Sequence, residues 1–123
     1  MKIRCEVKIV VDIFKALAEE NRLRILALLM TGEMCVCEIE DCLDMNQSNV
    51  SRHLTALKIC GILRAYKKAQ WVYYKIDNNF IEKNPDLFAY LTKELKQLSS
   101  YKSDCEKLAK SKLQCLCDVK MKL

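Results

Sequence analysis

Glycine, proline and histidine are nearly absent from this chain, with two glycines, one proline and one histidine in 123 residues. So little glycine and proline excludes a turn-rich all-β chain and favours a mostly helical fold in which each of them marks a boundary. The single histidine, His53, leaves no Ser-His-Asp, Cys-His or His-rich zinc arrangement to be assembled within one chain, so an enzyme is not expected. No apolar run approaches the ~18 residues that cross a bilayer. The apolar stretch 9–17 is broken by Asp12 and Lys15, is too charged for a signal-peptide core, and precedes no small-residue cleavage site. A cytoplasmic protein with no membrane partner is the expectation.

What remains is ordinary in bulk and unusual in one residue. Hydrophobic residues make up 51% and charged residues 30%, the composition of a globular domain, and the length fits one such domain. The net charge is +5, a mild bias that two copies would double to +10, enough to steer towards DNA if gathered on one face. Eight cysteines are the exception. With no signal peptide and ample Leu, Ile and Val, they read as reduced thiols serving as ligands or redox sensors, not as a disulfide framework. They also fall in groups: Cys5, then Cys35, Cys37 and Cys42, then Cys60, then Cys105, Cys115 and Cys117.

Val7, Val10, Val11, Phe14 and Leu17 recur at helical spacing and predict a first helix over 7–18 with one apolar face. A second helix starts near Asn21 and stops at Gly32; Gly61 stops another. Residues 38–43 read as a short helix with Ile39, Cys42 and Leu43 on one side. Asp44, Met45 and Asn46 make a tight connection, and Asn46 is placed to cap a helix over 47–60. Two helices joined by about three residues, the second polar at its front, form a helix-turn-helix pattern. After Gly61 the residues become β-prone, Ile62 to Ala65 and Trp71 to Ile76, around a basic turn Lys67-Lys68-Ala69-Gln70. That predicts a two-stranded hairpin, a wing. From Pro85, with Asn84 as cap, one long helix is expected through Leu87, Leu91, Leu95, Leu98, Cys105 and Leu108. The fold class is thus mainly α with a small β-hairpin, a winged helix-turn-helix. Residues 1–98 form the DNA-binding domain with helices at both ends for dimerisation, and 99–123 a helix extension with a cysteine-bearing tail.

The 47–60 helix has two faces. Val50, Leu54 and Leu57 are spaced to pack inward, while Gln47, Ser48, Asn49, Ser51, Arg52 and Thr55 project outward near its start. Gln and Asn pair with adenine edges, Arg with guanine, Ser and Thr with phosphates or bases, and a major groove admits the first turns of such a helix. His53 is read as a DNA contact or a cap partner, and Lys67 and Lys68 as wing contacts to phosphate or the minor groove. Trp71, Tyr73 and Tyr74 are read as strand packing.

Cys35-Val36-Cys37 places two thiols at a helix entrance, where the positive helix end suits an anionic ligand. Soft thiolates select As(III), Sb(III), Cd(II), Pb(II) or Zn(II). Trigonal As(III) needs one further thiolate and tetrahedral Zn(II) or Cd(II) two. Cys42 is near, but it shares its side with Ile39 and Leu43 and reads more readily as core. Cys60 reads as a helix-end filler. Cys105, Cys115 and Cys117 make a possible second site.

Four segments resemble the ArsR/SmtB family of metal-responsive repressors: Asn21-Arg22-Leu23-Arg24-Ile25-Leu26 after Leu17-Ala18, the box Glu33-Met34-Cys35-Val36-Cys37-Glu38-Ile39, the run from Gln47 to Leu54, and Trp71-Val72-Tyr73-Tyr74-Lys75-Ile76. The resemblance covers 10–76 and is closest to arsenical-resistance operon repressors. It implies a homodimer formed by the first and last helices, bound to double-stranded operator DNA and released by a thiophilic inducer, As(III) or Sb(III) first. It also implies that a partner's N-terminal arm, here bearing Cys5, could complete the site as in a branch sensing cadmium and lead. Members sensing arsenic often have a cysteine where this chain has Glu40, and a glycine in the wing turn where it has Ala69. A thiol-redox repressor of the same fold and a cytosolic metal-buffering or arsenic-carrying protein are the alternatives.

Overall fold

The computed structural model describes residues 2–114, with side chains described over 9–110. Its elements are α1 (Lys2–Leu17), α2 (Glu20–Leu29), β1 (Met34–Cys35), α3 (Val36–Leu43), α4 (Gln47–Ile59), β2 (Leu63–Lys68), β3 (Trp71–Ile76), α5 (Asn78–Lys83), α6 (Pro85–Glu94), a 3₁₀ turn (Leu95–Gln97) and α7 (Tyr101–Gln114). Cys5 lies in α1 with its side chain outside the described range, and Cys115 and Cys117 lie outside the described residues altogether.

The middle of the molecule is α2. Five successive residues, Ile25 to Leu29, are buried all round it, which is what a helix enclosed by others requires. It meets α1, α3, α4, α7 and β3. Ile39 of α3, Val50, Leu54 and Leu57 of α4, and Ile62 and Leu63 beyond Gly61 complete a core from which solvent is excluded. Each such side chain contributes about 1.5–3 kcal/mol by leaving water.

The boundaries have local causes. After α4, Gly61 at φ 86° donates to the Lys58 carbonyl, and Ile62 donates back to Leu57, satisfying two orphan carbonyls. Asn46 caps α4 by accepting from the Asn49 amide at 2.9 Å. Between α3 and α4, Asp44 takes the left-handed conformation at φ 53° and closes the three-residue turn of the helix-turn-helix.

Five expectations need correcting. The sheet has three strands in the order β1-β3-β2, because Met34 and Cys35 pair with Tyr74 and Tyr73. A two-residue strand leaves no alternation to read. Lys67 and Lys68 end β2, and the turn is Ala69-Gln70 alone, since Lys68 pairs with Trp71. The helix from Pro85 is not continuous. It breaks between Leu95 and Ser100, and α7 turns back onto α2 and α3. Asn84 does not cap α6 with its side chain; its Nδ2 donates to the Phe80 carbonyl and ends α5 instead. In α1, Ile13, Ala16 and Leu17 face the core, whereas Val10, Val11 and Phe14 stay exposed.

An ion pair helps to hold the return of α7. Asp104, 2% exposed, accepts from Arg24 Nε at 3.0 Å and from its terminal nitrogen at 2.9 Å. Such a fork-to-fork pair fixes geometry as well as charge. Leu108 adds its side chain to the core.

Candidate DNA-reading face and thiol site

The front of α4 carries its polar residues into solvent. Gln47, Ser48, Asn49, Ser51, Arg52 and Thr55 are all exposed, and Val50, Leu54 and Leu57 are buried behind them. At the tip of the hairpin Lys67 and Lys68 are exposed, and Lys68 Nζ lies 5.9 Å from the Tyr73 ring centroid. Tyr66 stacks on Tyr73 at 5.8 Å and donates its hydroxyl to Glu33. These contacts stiffen the wing from within, and Trp71, Tyr73 and Tyr74 are half-buried in the sheet.

His53 does not belong to the outward set. It is 1% exposed, and its Nδ1 accepts from Arg22 Nε at 3.2 Å, with Glu19 at 3.6 Å. Burial pushes its pKa below the ordinary histidine value, more than Glu19 raises it, with Arg52 and Arg22 adding to the depression. A neutral ring tying α4 to the start of α2 is a positioning group, not a base reader. The signal was present in the spacing: residue 53 lies three after Val50 and four before Leu57, on the inward face.

Cys35 and Cys37 sit on two different elements. Cys35 ends β1 opposite Tyr73 and is the N-cap of α3, its amide donating to Glu38 Oε1 at 3.0 Å. Cys37 lies in the first turn of α3. Their sulfurs face each other 2.7 Å apart.

The pair opens on a cleft of about 400 Å³. Its floor is Cys35, Val36, Cys37 and Glu40; one wall is Gln47 and Ser51 of α4, the other Trp71, Val72 and Tyr74 of β3. Sequence reasoning found the thiols but missed this enclosure, because it depends on β1 joining β3. Glu40, which stands where a third cysteine was sought, lines the same cleft.

The remaining thiols divide by environment. Cys42 is wholly buried, and its pKa is pushed up to about 12, first by burial and then by Asp41, Glu38 and Asp104. A thiol so held keeps its proton near neutral pH, in line with its place beside Ile39 and Leu43 in the core. Cys60 is also raised by burial, and its Sγ–H donates to the Leu57 carbonyl at 3.4 Å. Cys105, half-buried on α7, hydrogen-bonds Tyr101 and raises the phenol's pKa. Among the described residues no three His, Cys, Asp or Glu side chains gather to hold a metal ion. No helix among them is long and apolar enough to cross a membrane.

Residues 19–65 match the family model described as bacterial regulatory protein, arsR family. The chain is 45% identical over 65 residues to the arsenic resistance transcriptional regulator ArsR1 of Pseudomonas putida, covering 52% of this chain and 51% of that protein. It is 42% identical over 66 residues to the cadmium resistance regulator CadC of Listeria innocua, covering 53% and 56%. The chain thus spans about half the length of these relatives. It is 47% identical over 66 residues to an uncharacterized HTH-type transcriptional regulator of Methanocaldococcus jannaschii, covering 53% of this chain and 74% of that one. Among solved structures, a homodimeric winged helix-turn-helix DNA-binding domain from Mycobacterium bovis superposes with a TM-score of 0.65 at 28% identity, covering 80% and 92%. The AntR antimony-specific transcriptional repressor gives 0.56 at 32% identity, covering 76% and 85%. With the helix-turn-helix, the wing and these matches together, the chain belongs to the arsR family of regulatory proteins.

Proposed function

We propose that this protein is a DNA-binding repressor, active as a homodimer, that leaves its operator when As(III) or Sb(III) binds Cys35 and Cys37. The observation that carries the proposal is the split placement of the two thiols. Cys35 is paired into the wing sheet, Cys37 belongs to the helix that precedes the reading helix, and both share a cleft with Gln47 and Ser51. Holding both thiolates on one ion ties the start of α3 to β1 and shifts the helix that precedes the reading helix. The reading helices of a dimer then no longer match half-sites one DNA turn apart, and affinity falls.

In this reading Gln47, Ser48, Asn49, Ser51, Arg52 and Thr55 meet base edges and phosphates, and Lys67 and Lys68 follow the backbone. The exposed apolar side chains Val10, Val11 and Phe14 on α1 and Tyr90 on α6 pack between protomers. An inorganic ion takes its third thiolate from Cys5 or the tail, since Cys42 is buried at the other end of α3. Arsenic and antimony rank first because arsenic-resistance and antimony-specific regulators are among the similar proteins. Cd(II), Pb(II) and Zn(II) suit the same donors, and a cadmium regulator is similar too.

The test is fluorescence anisotropy of a labelled duplex taken from upstream of its own gene, titrated with arsenite. Wild type should bind and then release; Cys35→Ser and Cys37→Ser should bind equally well and resist release. Release by both variants at wild-type arsenite would move the site to the tail. Release by peroxide alone would support a thiol-redox repressor, and no duplex binding at all would leave a metal-buffering protein.

A further inference from the structure

The helix α4 is fastened to α2 through the single histidine of the chain. His53 follows Arg52, which is exposed on the reading face, yet its own side chain is 1% exposed. Its Nδ1 accepts from Arg22 Nε at 3.2 Å, so the neutral ring carries its hydrogen on Nε2. Glu19, the N-cap of α2, places Oε2 3.6 Å from the same nitrogen. One ring nitrogen thus faces a donor that needs it bare and a carboxylate that favours it protonated. A guanidinium keeps its protons, so a protonated Nδ1 has nothing to accept with and meets Arg22 as a second cation. Burial opposes the charged ring first; Glu19 favours it, and Arg52 and Arg22 oppose it. The elements α1, α3 and β2 also pack on α4 but add no charge that shifts the ring.

We propose that His53 is a positioning residue that makes operator binding sensitive to acid: the neutral ring holds the reading helix on Arg22, and the protonated ring lets Arg22 go and turns to Glu19. The inference rests on the reading of α4 as the helix that meets the operator. Only a proton moves, from solvent to Nδ1; the hydrogen bond from Arg22 breaks and an ion pair with Glu19 forms. Glu19 precedes α2 and Arg22 lies in its first turn, so the exchange moves the point at which α4 is held. Arg52, the next residue along α4, moves with it. Acid ordinarily tightens protein–DNA contacts, because exposed carboxylates lose their charge. This anchor runs against that trend. The folded ring titrates below the ordinary 6.5, so affinity falls under that pH. A dimer carries two such rings, and the fall steepens towards two protons per dimer.

The experiment follows anisotropy of the labelled upstream duplex with untagged full-length protein, without arsenite and at fixed ionic strength, from about pH 8 to about pH 5. Affinity should fall by about tenfold or more across that range. The histidine Cε1–H resonance belongs to His53 alone in this chain, so its titration gives the midpoint directly. His53→Asn keeps an acceptor near the Nδ1 position that takes up no proton, and its affinity should not fall with acid. Glu19→Gln keeps an oxygen for the α2 cap and should move the His53 midpoint to lower pH, whereas Arg22→Gln should move it to higher pH. A merely structural role predicts no such opposite shifts. Wild-type affinity that holds or rises as pH falls, an acid loss that persists in His53→Asn, a loss that only tracks unfolding by circular dichroism, or midpoints unmoved in both other variants would overturn the proposal. The underlying reading fails separately: its failure shows as no duplex binding at neutral pH.

Discussion

One helix of eight residues holds two cysteines in opposite circumstances. Cys37, in the first turn of α3, is half-exposed on a cleft with the Cys35 sulfur beside it. Cys42, five residues on, is wholly buried, faces the ion-paired Asp104 of α7, and holds its proton up to about 12. The residue type is the same and the helix is the same. Ligation needs a thiolate, and a thiolate needs solvent, a positive helix end or a cation. The mouth of α3 offers a helix N-terminus and a partly exposed Cys37; at its other end Cys42 lies in the core, where Asp41, Glu38 and Asp104 outweigh Lys107. In the proposed reading the response belongs to one end and stability to the other.

The sharpest way to break that division is to remove each thiol alone. Cys37→Ser should raise the arsenite needed for operator release at least ~100-fold, equivalent to about 2.8 kcal/mol, with urea unfolding unchanged. Cys42→Ser should do the reverse, costing about 2 kcal/mol by burying a hydroxyl where a thiol packed, with release at wild-type arsenite. If Cys42→Ser lost the response at full stability, the two ends would not be distinct.

The second way is to loosen the buried end from outside. Asp104→Ala removes both hydrogen bonds that Arg24 donates and frees α7 from α2 and α3. The expected loss is about 2 kcal/mol in urea unfolding, below the ~3–5 of a fully buried pair because Arg24 keeps part of its side chain in water. Proteolysis should then cut within α7 first, while the arsenite response at the mouth persists.

The two ends should also separate by pH. In the unfolded chain Cys42 titrates near 9.0, in the folded one near 12. Above pH 9 the unfolded state binds fewer protons, so stability falls as pH rises through that window. By pH 10 the Cys42 loss is about 1.4 kcal/mol, read as the difference between wild type and Cys42→Ala in the fall of stability from neutral pH. His53 works at the acid side with the opposite sense. Its folded pKa is lowered, so its stability is present above 6.5 and lost as pH falls below it, and His53→Gln should flatten that limb.

Much of this was legible in the sequence, and the gaps have physical causes. The helix-turn-helix, the Asn46 cap and the stop at Gly61 follow from local chemistry, so spacing and capping residues announced them. Cys42 showed its burial through its place beside Ile39 and Leu43. His53 was misplaced because polarity was weighed above its inward spacing. The break at Leu95 was hidden because Leu91, Leu95, Leu98 and Leu108 keep a helical rhythm across it, and the contacts that turn the chain back are remote in sequence, the pairing of Asp104 with Arg24, 80 residues apart, among them. The cleft was hidden for the same kind of reason: it depends on β1 meeting β3, and two residues carry no period.

The smallest expected effect tests the wing from which the mouth of α3 is hung. Ala69 sits at φ 58° in the two-residue turn between Lys68 and Trp71. A left-handed alanine costs roughly 1–2 kcal/mol, and glycine there removes that cost while adding back about 0.5–1 kcal/mol of chain entropy. Ala69→Gly should therefore stabilise the fold by about 0.5 kcal/mol, seen as a raised urea midpoint at unchanged slope. The turn lies at the far end of β3 from Ile76 and makes no part of the thiol cleft, so arsenite potency should not move. If it did move, strain in the wing turn would be reaching Cys35 through the Cys35–Tyr73 pairing, and the mouth of α3 would draw part of its response from the hairpin.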